Sequence, residues 1–444
     1  MRKIAIFYAT YDGIINTMCG VGVISRAFIS SFTEVRNFYL KKEIQLDLHL
    51  ISIALTDEAI GVSEEITNES FKVAQQCGGT IHYIINGTDG TEQFGDADNW
   101  KIASTSAANK VLEIAKNYDE SLVYCIDTPF MHTPYFIELQ KSAFTQNRIT
   151  SFLVLHSDVL SHHPENPDKI RLDWEKSAIE FALNNKNVIF AKTSDFLMSH
   201  LIKNYFIPLK KIANFQSGID LKSPRYKNYT QKQIKDILDS YGISTDKNLI
   251  FSVGRAVPYK GFELLIEAFS KLNNKDTHLV FIASPYKTAP SNVRELKHLL
   301  SKYKINCTPI FKLDLELPNI ICQWEKTKIV AQLSEHEPFG LVPEEIRLWS
   351  NKTGPVILTS NKEGYQEQIT DNIDGFTVSL VNTQRIADKI DSILQLPKSE
   401  IQEIKDKGLK RLKDNYNYHV SITQSIAELL KLPAEKIITE FKER

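Results

Sequence analysis

The stretch Glu335-His336-Glu337-Pro338-Phe339-Gly340-Leu341-Val342-Pro343-Glu344-Glu345 sets Glu337 and Glu345 eight positions apart, on either side of an apolar turn. Two carboxylates so spaced can grip a polyhydroxylated ligand from two sides. Pro343 suits the first position of a helix, where a missing N–H leaves nothing unpaired. A helix starting there leaves the Phe339, Gly340 and Leu341 amides unpaired and pointing outward. Such a helix start offers N–H donors and positive dipole to an anion or to sugar hydroxyls.

Upstream, the apolar run Leu249–Val253 reads as a buried strand closed by Gly254, followed by Arg255 and Lys260. Gly261 opens a helix with Phe262, Leu265, Ile266 and Phe269 at i, i+3, i+4 and i+7. Two cations at the carboxyl end of a parallel strand stand where open α/β sheets bind ligands. An Arg fork and a Lys point charge together suit a diphosphate.

Three further places carry candidate chemistry. Gly20-Val21-Gly22 lies in the loop after the first apolar run. Its glycines allow close backbone approach, so the loop either cradles a phosphate or simply turns tightly. His156 follows the run Thr150–Leu155 and is placed to hydrogen-bond a sugar hydroxyl, unless it is a satisfied loop histidine. Asp127 ends another run, Leu122–Ile126. It could accept a proton from an acceptor hydroxyl or cap a helix. His162 and His163 read as surface or acceptor-contact residues in a polar loop.

The elements that must position these residues alternate between strand-like and helix-like segments. The remaining strand candidates are Ile4–Ala9, Leu46–Ile53, Thr80–Ile85, Asn187–Ala191, Lys211–Phe215, His278–Ala283, Thr308–Lys312, Ile329–Leu333, Val356–Thr359 and Gly375–Val378. Repeated βα order implies α/β domains with doubly wound parallel sheets. At 444 residues the chain is too long for one core. The boundary is expected near Ser217-Gly218-Ile219-Asp220, dividing 1–217 from 218–412, with 413–444 as a closing segment.

Composition excludes several classes. The net charge of −1 shows no basic excess, so nucleic acid is not an expected partner. No run reaches the ~20 apolar residues needed to span a bilayer. Peripheral membrane contact stays open, although no basic, aromatic-rich face argues for it. The first residues, MRKIAIFYAT, lack a long apolar core and a cleavage site and are expected to form the first strand, not a signal peptide. The 5 cysteines are scattered without metal spacing, which suggests reduced thiols in a cytoplasmic protein.

The segment EPFGLVPEE resembles the EPFGLVxLEA phrase of glycosyltransferase family 4, and its spacing is the E-x7-E signature of retaining GT-B glycosyltransferases. Gly254-Arg255 to Lys260-Gly261 resembles that family's GRLxxxKG segment. Gly20-Val21-Gly22 resembles its GGxG loop, with Cys19 where the first Gly usually stands. The strand ending at His156 resembles one whose terminal His contacts the donor sugar. Asp127 matches the end of the family's HAHD, without its histidines. Residues 217–220 resemble NGVD, and 410–431 a C-terminal helix that crosses back to the first domain, leaving 432–444 as a charged tail. One Gly of the usual Gly-Gly turn is replaced by Glu363.

The resemblance implies two Rossmann-like domains facing across a cleft, the first for the acceptor and the second for a nucleotide-diphosphate sugar. Arg255 and Lys260 would hold the diphosphate, with Gly20, Val21 and Gly22 reaching the same group. Glu337, His156 and Asp127 would serve the reacting sugar and acceptor. Phe339, Gly340 and Leu341 would hold the donor sugar, and Glu345 the ribose. A hexose would pass with retention to a carbohydrate, glycolipid or small-molecule hydroxyl. No cofactor is expected beyond the co-substrate, and no metal, because no Asp-x-Asp stands in a convincing loop. The alternatives are a pseudo-glycosyltransferase, a GT-B epimerase or phosphorylase, or a binding-only partner. Intact Arg255, Lys260, Glu337 and Glu345 argue against the last.

Overall fold

The computed structural model describes all residues except 60, 89, 91–95, 142–146, 163–164, 224, 286–289, 351–352 and 443–444. His163 therefore lies outside the described residues. The chain divides into two units, Met1–Asp220 with Asn417–Arg444, and Leu221–Tyr416.

The first unit holds a seven-stranded sheet of β1 (Arg2–Thr10), β2 (Ile44–Ile53), β3 (Ile81–Ile84), β4 (Glu120–Ile126), β5 (Arg148–Val154), β6 (Val188–Lys192) and β7 (Ile212–Asn214). Its order is β3-β2-β1-β4-β5-β6-β7, and every paired neighbour is parallel. The second holds β8 (Asn248–Arg255), β9 (Thr277–Ser284), β10 (Cys307–Ile310), β11 (Thr327–Gln332), β12 (Val356–Ser360) and β13 (Phe376–Val378). These six run in the order β10-β9-β8-β11-β12-β13 and are also parallel. Each expected strand is present, shifted by at most a few residues at its ends.

Parallel strands covered by helices on both faces must be apolar on both. In the second sheet successive side chains therefore feed two cores. Ile250, Ile329 and Leu358 enter one, and Leu249, Phe251, Val330 and Ile357 enter the other. Each sheet reverses its winding once, between β1 and β4 and between β8 and β11. Each reversal opens a crevice at the carboxyl ends of its own sheet, where that unit's candidate residues lie.

The chain leaves the first unit just after Asp220 and returns at Asn417. Buried Asp220 fixes the crossing, accepting from Ser30 Oγ at 2.6 Å and meeting His419 Nε2 at 2.8 Å. The closing segment is two helices, Tyr418–Leu429 and Ala434–Lys442. The last is not merely a charged tail. Its Ile437 and Phe441 are buried, and Phe441 packs edge-on against Phe38 at 5.1 Å.

Candidate functional site

In the second unit Arg255 is the last residue of β8, and Lys260 ends a single 3-10 turn, Pro258–Lys260. Arg255 Nη2 donates to the Tyr259 hydroxyl at 2.5 Å, which holds the guanidinium beside that turn. Lys260 Nζ forms an ion pair with Glu337, which follows the neighbouring strand β11. Residues 77 apart in sequence are thus joined at the reversal between β8 and β11.

The Glu337 loop is held from two sides. The Glu335 amide donates to the Tyr259 carbonyl at 2.8 Å, and the Gly364 amide to the Glu337 carbonyl at 2.9 Å. Gly340 has φ +78°, and a Cβ there would stand 2.7 Å from Glu337 Cγ, so glycine is required for the turn to close on the acid. The Phe339, Gly340 and Leu341 amides donate to no protein acceptor among the described residues. The helix they precede is Val342–Trp349, which puts Pro343 at its second position rather than its first.

The two acids of its first turn differ. Glu344 is fully buried and accepts two hydrogen bonds from Arg347 Nη1, at 2.9 and 3.1 Å. Arg347 is in turn tied to the Gln368 carbonyl at 2.8 Å. Glu344 therefore belongs to the fold. Glu345 retains some accessible surface, yet its carboxyl lies deep enough that burial pushes it up to about 7, against the opposing field of Arg225.

In the first unit the β1 loop leads into the helix Gly20–Leu40. Its nest of amides is already filled from within. The Asp12 carboxylate accepts from the Met18, Cys19 and Gly22 amides at 2.9, 3.0 and 3.1 Å. Burial pushes Asp12 up to about 6, with those bonds pulling the other way. A Cβ on Gly22 would sit 2.4 Å from Asp12 Oδ1. Gly22 is thus a close-approach residue for Asp12, and its N–H is not offered to a phosphate, contrary to the sequence expectation. Gly20 and Val21 make no such bond among the described residues, and space beside Gly20 is open.

Asp127 follows β4 at the same sheet edge. It has φ +57° and ψ −174°, an uncommon conformation for a residue with a Cβ. It does not cap the following turn with its side chain. Its Oδ1 instead accepts the His156 amide at 2.8 Å, and burial pushes its carboxyl up to about 6. The His156 ring is driven down to about 4 by burial, hence neutral near pH 7. Its buried Nε2 has no hydrogen-bond partner among the described residues. Beneath this loop, buried Glu175 accepts from the Val159 amide at 3.0 Å and from Arg171 Nε at 2.6 Å.

Residues 233–411 match the family described as glycosyl transferases group 1. The fold is GT-B. HepE of Anabaena, solved with UDP and glucose, aligns with TM-score 0.66 at 15% identity, over 96% of this chain and 99% of that one. Sucrose-phosphate synthase of Thermosynechococcus elongatus aligns with TM-score 0.71 at 15% identity, over 97% and 98%. A D-inositol 3-phosphate glycosyltransferase of Frankia alni is 23% identical over 275 residues, 61% of this chain and 60% of that protein. A protein of the same description from Mycolicibacterium paratuberculosis is 24% identical over 156 residues, covering 34% of its length. The chain thus spans between about a third and three fifths of these curated relatives.

Sequence reasoning did not find Asp12, Tyr259 or the Glu344–Arg347 pair as parts of these sites. An Asp before a glycine reads as a turn residue, and nothing local in the sequence tells Glu344 from Glu345. Among the described residues no group of three or more His, Cys, Asp or Glu gathers as a metal would need. No described helix is long and apolar enough to cross a membrane.

Proposed function

We propose that the chain is a retaining glycosyltransferase that moves a hexose from a nucleotide-diphosphate sugar to an acceptor hydroxyl. One observation carries the reading: Lys260 and Glu337 meet at the reversal between β8 and β11, beside the open amides of Phe339, Gly340 and Leu341. That arrangement supplies cationic, anionic and N–H groups within one crevice of the group 1 domain.

Arg255 and Lys260 bind the diphosphate and stabilise the negative charge that grows on it as the glycosidic bond breaks. Glu337 lies against the positive charge developing at the sugar, and the three amides hold its hydroxyls. Glu345 holds the ribose. Gly20 and Val21 offer two further N–H donors to the diphosphate. His156 Nε2 supplies the hydrogen bond for a sugar hydroxyl that its burial otherwise leaves unmet. Asp127 orients His156 through its backbone and is the candidate to receive the acceptor proton. The acceptor attacks the face the leaving group vacates, which retains the anomeric configuration.

Two cations on the leaving group do what a divalent ion would otherwise do, so activity should survive EDTA. Arg255→Ala and Lys260→Ala should each lower kcat by ~10²-fold or more, the scale of losing one charge stabiliser. The test is turnover of UDP-glucose, the donor chemistry suggested by the ligands of HepE. Near-normal turnover in both variants would overturn the assignment. Complete loss in EDTA, restored by Mg²⁺, would overturn the metal-independent step. Cys19, Cys77, Cys125, Cys307 and Cys322 are free thiols, which suits the reducing cytoplasm we assign to the protein.

A further inference from the structure

Glu363 sits in the turn after β12 with φ +44°, in the left-handed region that favours glycine. It precedes a glycine, Gly364, whose added Cβ would stand 2.5 Å from the Pro338 carbonyl oxygen. The turn is therefore pressed against the Glu337 loop, and the residue best suited to the backbone at 363 is glycine. The chain carries a carboxylate there instead, and both of its oxygens are used. Oε2 accepts the Glu337 amide at 2.5 Å, and Oε1 lies 3.0 Å from His336 Nδ1. A carboxylate only accepts, so His336 carries its proton on Nδ1 and keeps Nε2 as its acceptor when neutral.

A strained residue persists where its surroundings over-determine it, and such residues gather at functional sites. Here the surroundings are the two residues that begin the candidate acid motif. We propose that Glu363 is a positioning residue for Glu337. It fixes the backbone of the acid and the tautomer of His336, so that the carboxylate of Glu337 meets Lys260 and the sugar in one geometry. This inference rests on the glycosyl-transfer reading of the same site. It adds a residue that touches neither the diphosphate nor the sugar in that reading.

The discriminating variant is Glu363→Gly, because glycine relieves the backbone while removing the carboxylate. A residue kept for the fold would leave the protein less stable when lost. A residue kept for positioning should leave the melting temperature at or above that of the wild type and yet slow turnover of UDP-glucose. The expected fall in kcat is about 10²-fold, the scale of misplacing a reacting group by roughly 1 Å. The donor KM should move much less. Glu363→Gln, which keeps an oxygen for the Glu337 amide, should fall between the two. A glycine variant that turns over within twofold of wild type overturns the inference. So does one that is both less stable and less active, or one that outperforms the glutamine variant. If the wild-type chain turns over no nucleotide-sugar at all, the glycosyl-transfer reading fails and this inference with it. Wild-type turnover beside an equally fast glycine variant refutes this inference alone.

Discussion

Replacing Glu337 with Gln should make the protein hold a nucleoside diphosphate more tightly while making it a far slower transferase. The Lys260 and Glu337 side chains are 17% and 14% exposed, so their ion pair is largely screened from water. The other polar neighbours of the Glu337 carboxylate include the Ser334 and Tyr365 hydroxyls, each at 3.5 Å. Those contacts are at the limit of hydrogen bonding, which leaves Lys260 as the main partner. A diphosphate that recruits Lys260 must loosen this pair.

The cost can be bracketed. Exposed pairs are worth about 0.2–1 kcal/mol, and breaking a fully buried one costs about 3–5 kcal/mol. A pair this far buried falls between, at about 1–2 kcal/mol. Gln keeps the shape of Glu and removes its charge, so this cost drops out of ligand binding. At about 1.4 kcal/mol per tenfold, the Gln variant should bind UDP about 5- to 30-fold more tightly. Glu337 is assigned to the developing charge on the sugar, so kcat should nonetheless fall by ~10²-fold or more. Isothermal titration with UDP and turnover of UDP-glucose give both numbers from one preparation. Weaker or unchanged UDP affinity would refute the coupling between Lys260 and Glu337. Unchanged kcat would refute the role of Glu337 in the transition state.

Three other outcomes follow from the helix that begins at Val342. Burial raises the Glu345 carboxyl to about 7, so the folded chain holds this proton to higher pH than the unfolded chain does. Its contribution to stability is then present at low pH and declines as pH rises from the ordinary Glu range through about 7. Urea unfolding across that window should show the wild type losing stability relative to Glu345→Gln, and parallel curves would count against the shift. The same variant should weaken UDP and UDP-glucose alike, since ribose contacts do not change during reaction. Glu344→Gln, by contrast, breaks a fully buried pair with Arg347 and should cost about 3 kcal/mol of stability in urea. If Glu344→Gln leaves stability intact and abolishes UDP binding, the roles of the two neighbours are exchanged.

The strands were legible because a parallel sheet buried on both faces demands uninterrupted apolar runs, and Leu249–Val253 or Leu122–Ile126 can hardly be read otherwise. Arg255 and Lys260 were singled out by their place after such a run, and Glu337 and Glu345 by their spacing and the family resemblance. What was hidden depends on which partner a side chain finds in three dimensions. Asp12 and Gly22 are 10 apart, and only the folded loop reveals that the carboxylate occupies the amides a phosphate would need. Glu344 and Glu345 are adjacent, and the helical turn between them sends one to Arg347 and leaves the other near Arg225. Glu363 shows the reverse case. Its place in a glycine-type turn marks it as irregular in the sequence, but the reason lies in its contacts with Glu337 and His336. Local rules are expected to fail where a site needs something the fold alone would not select. Glu363 and Asp127 both adopt positive φ, and each, within its own unit, accepts a hydrogen bond through a carboxylate oxygen from the backbone amide of a neighbouring loop. In each domain, then, a strained acid at a strand end fixes the loop that carries the candidate reacting side chain, His156 in one and Glu337 in the other.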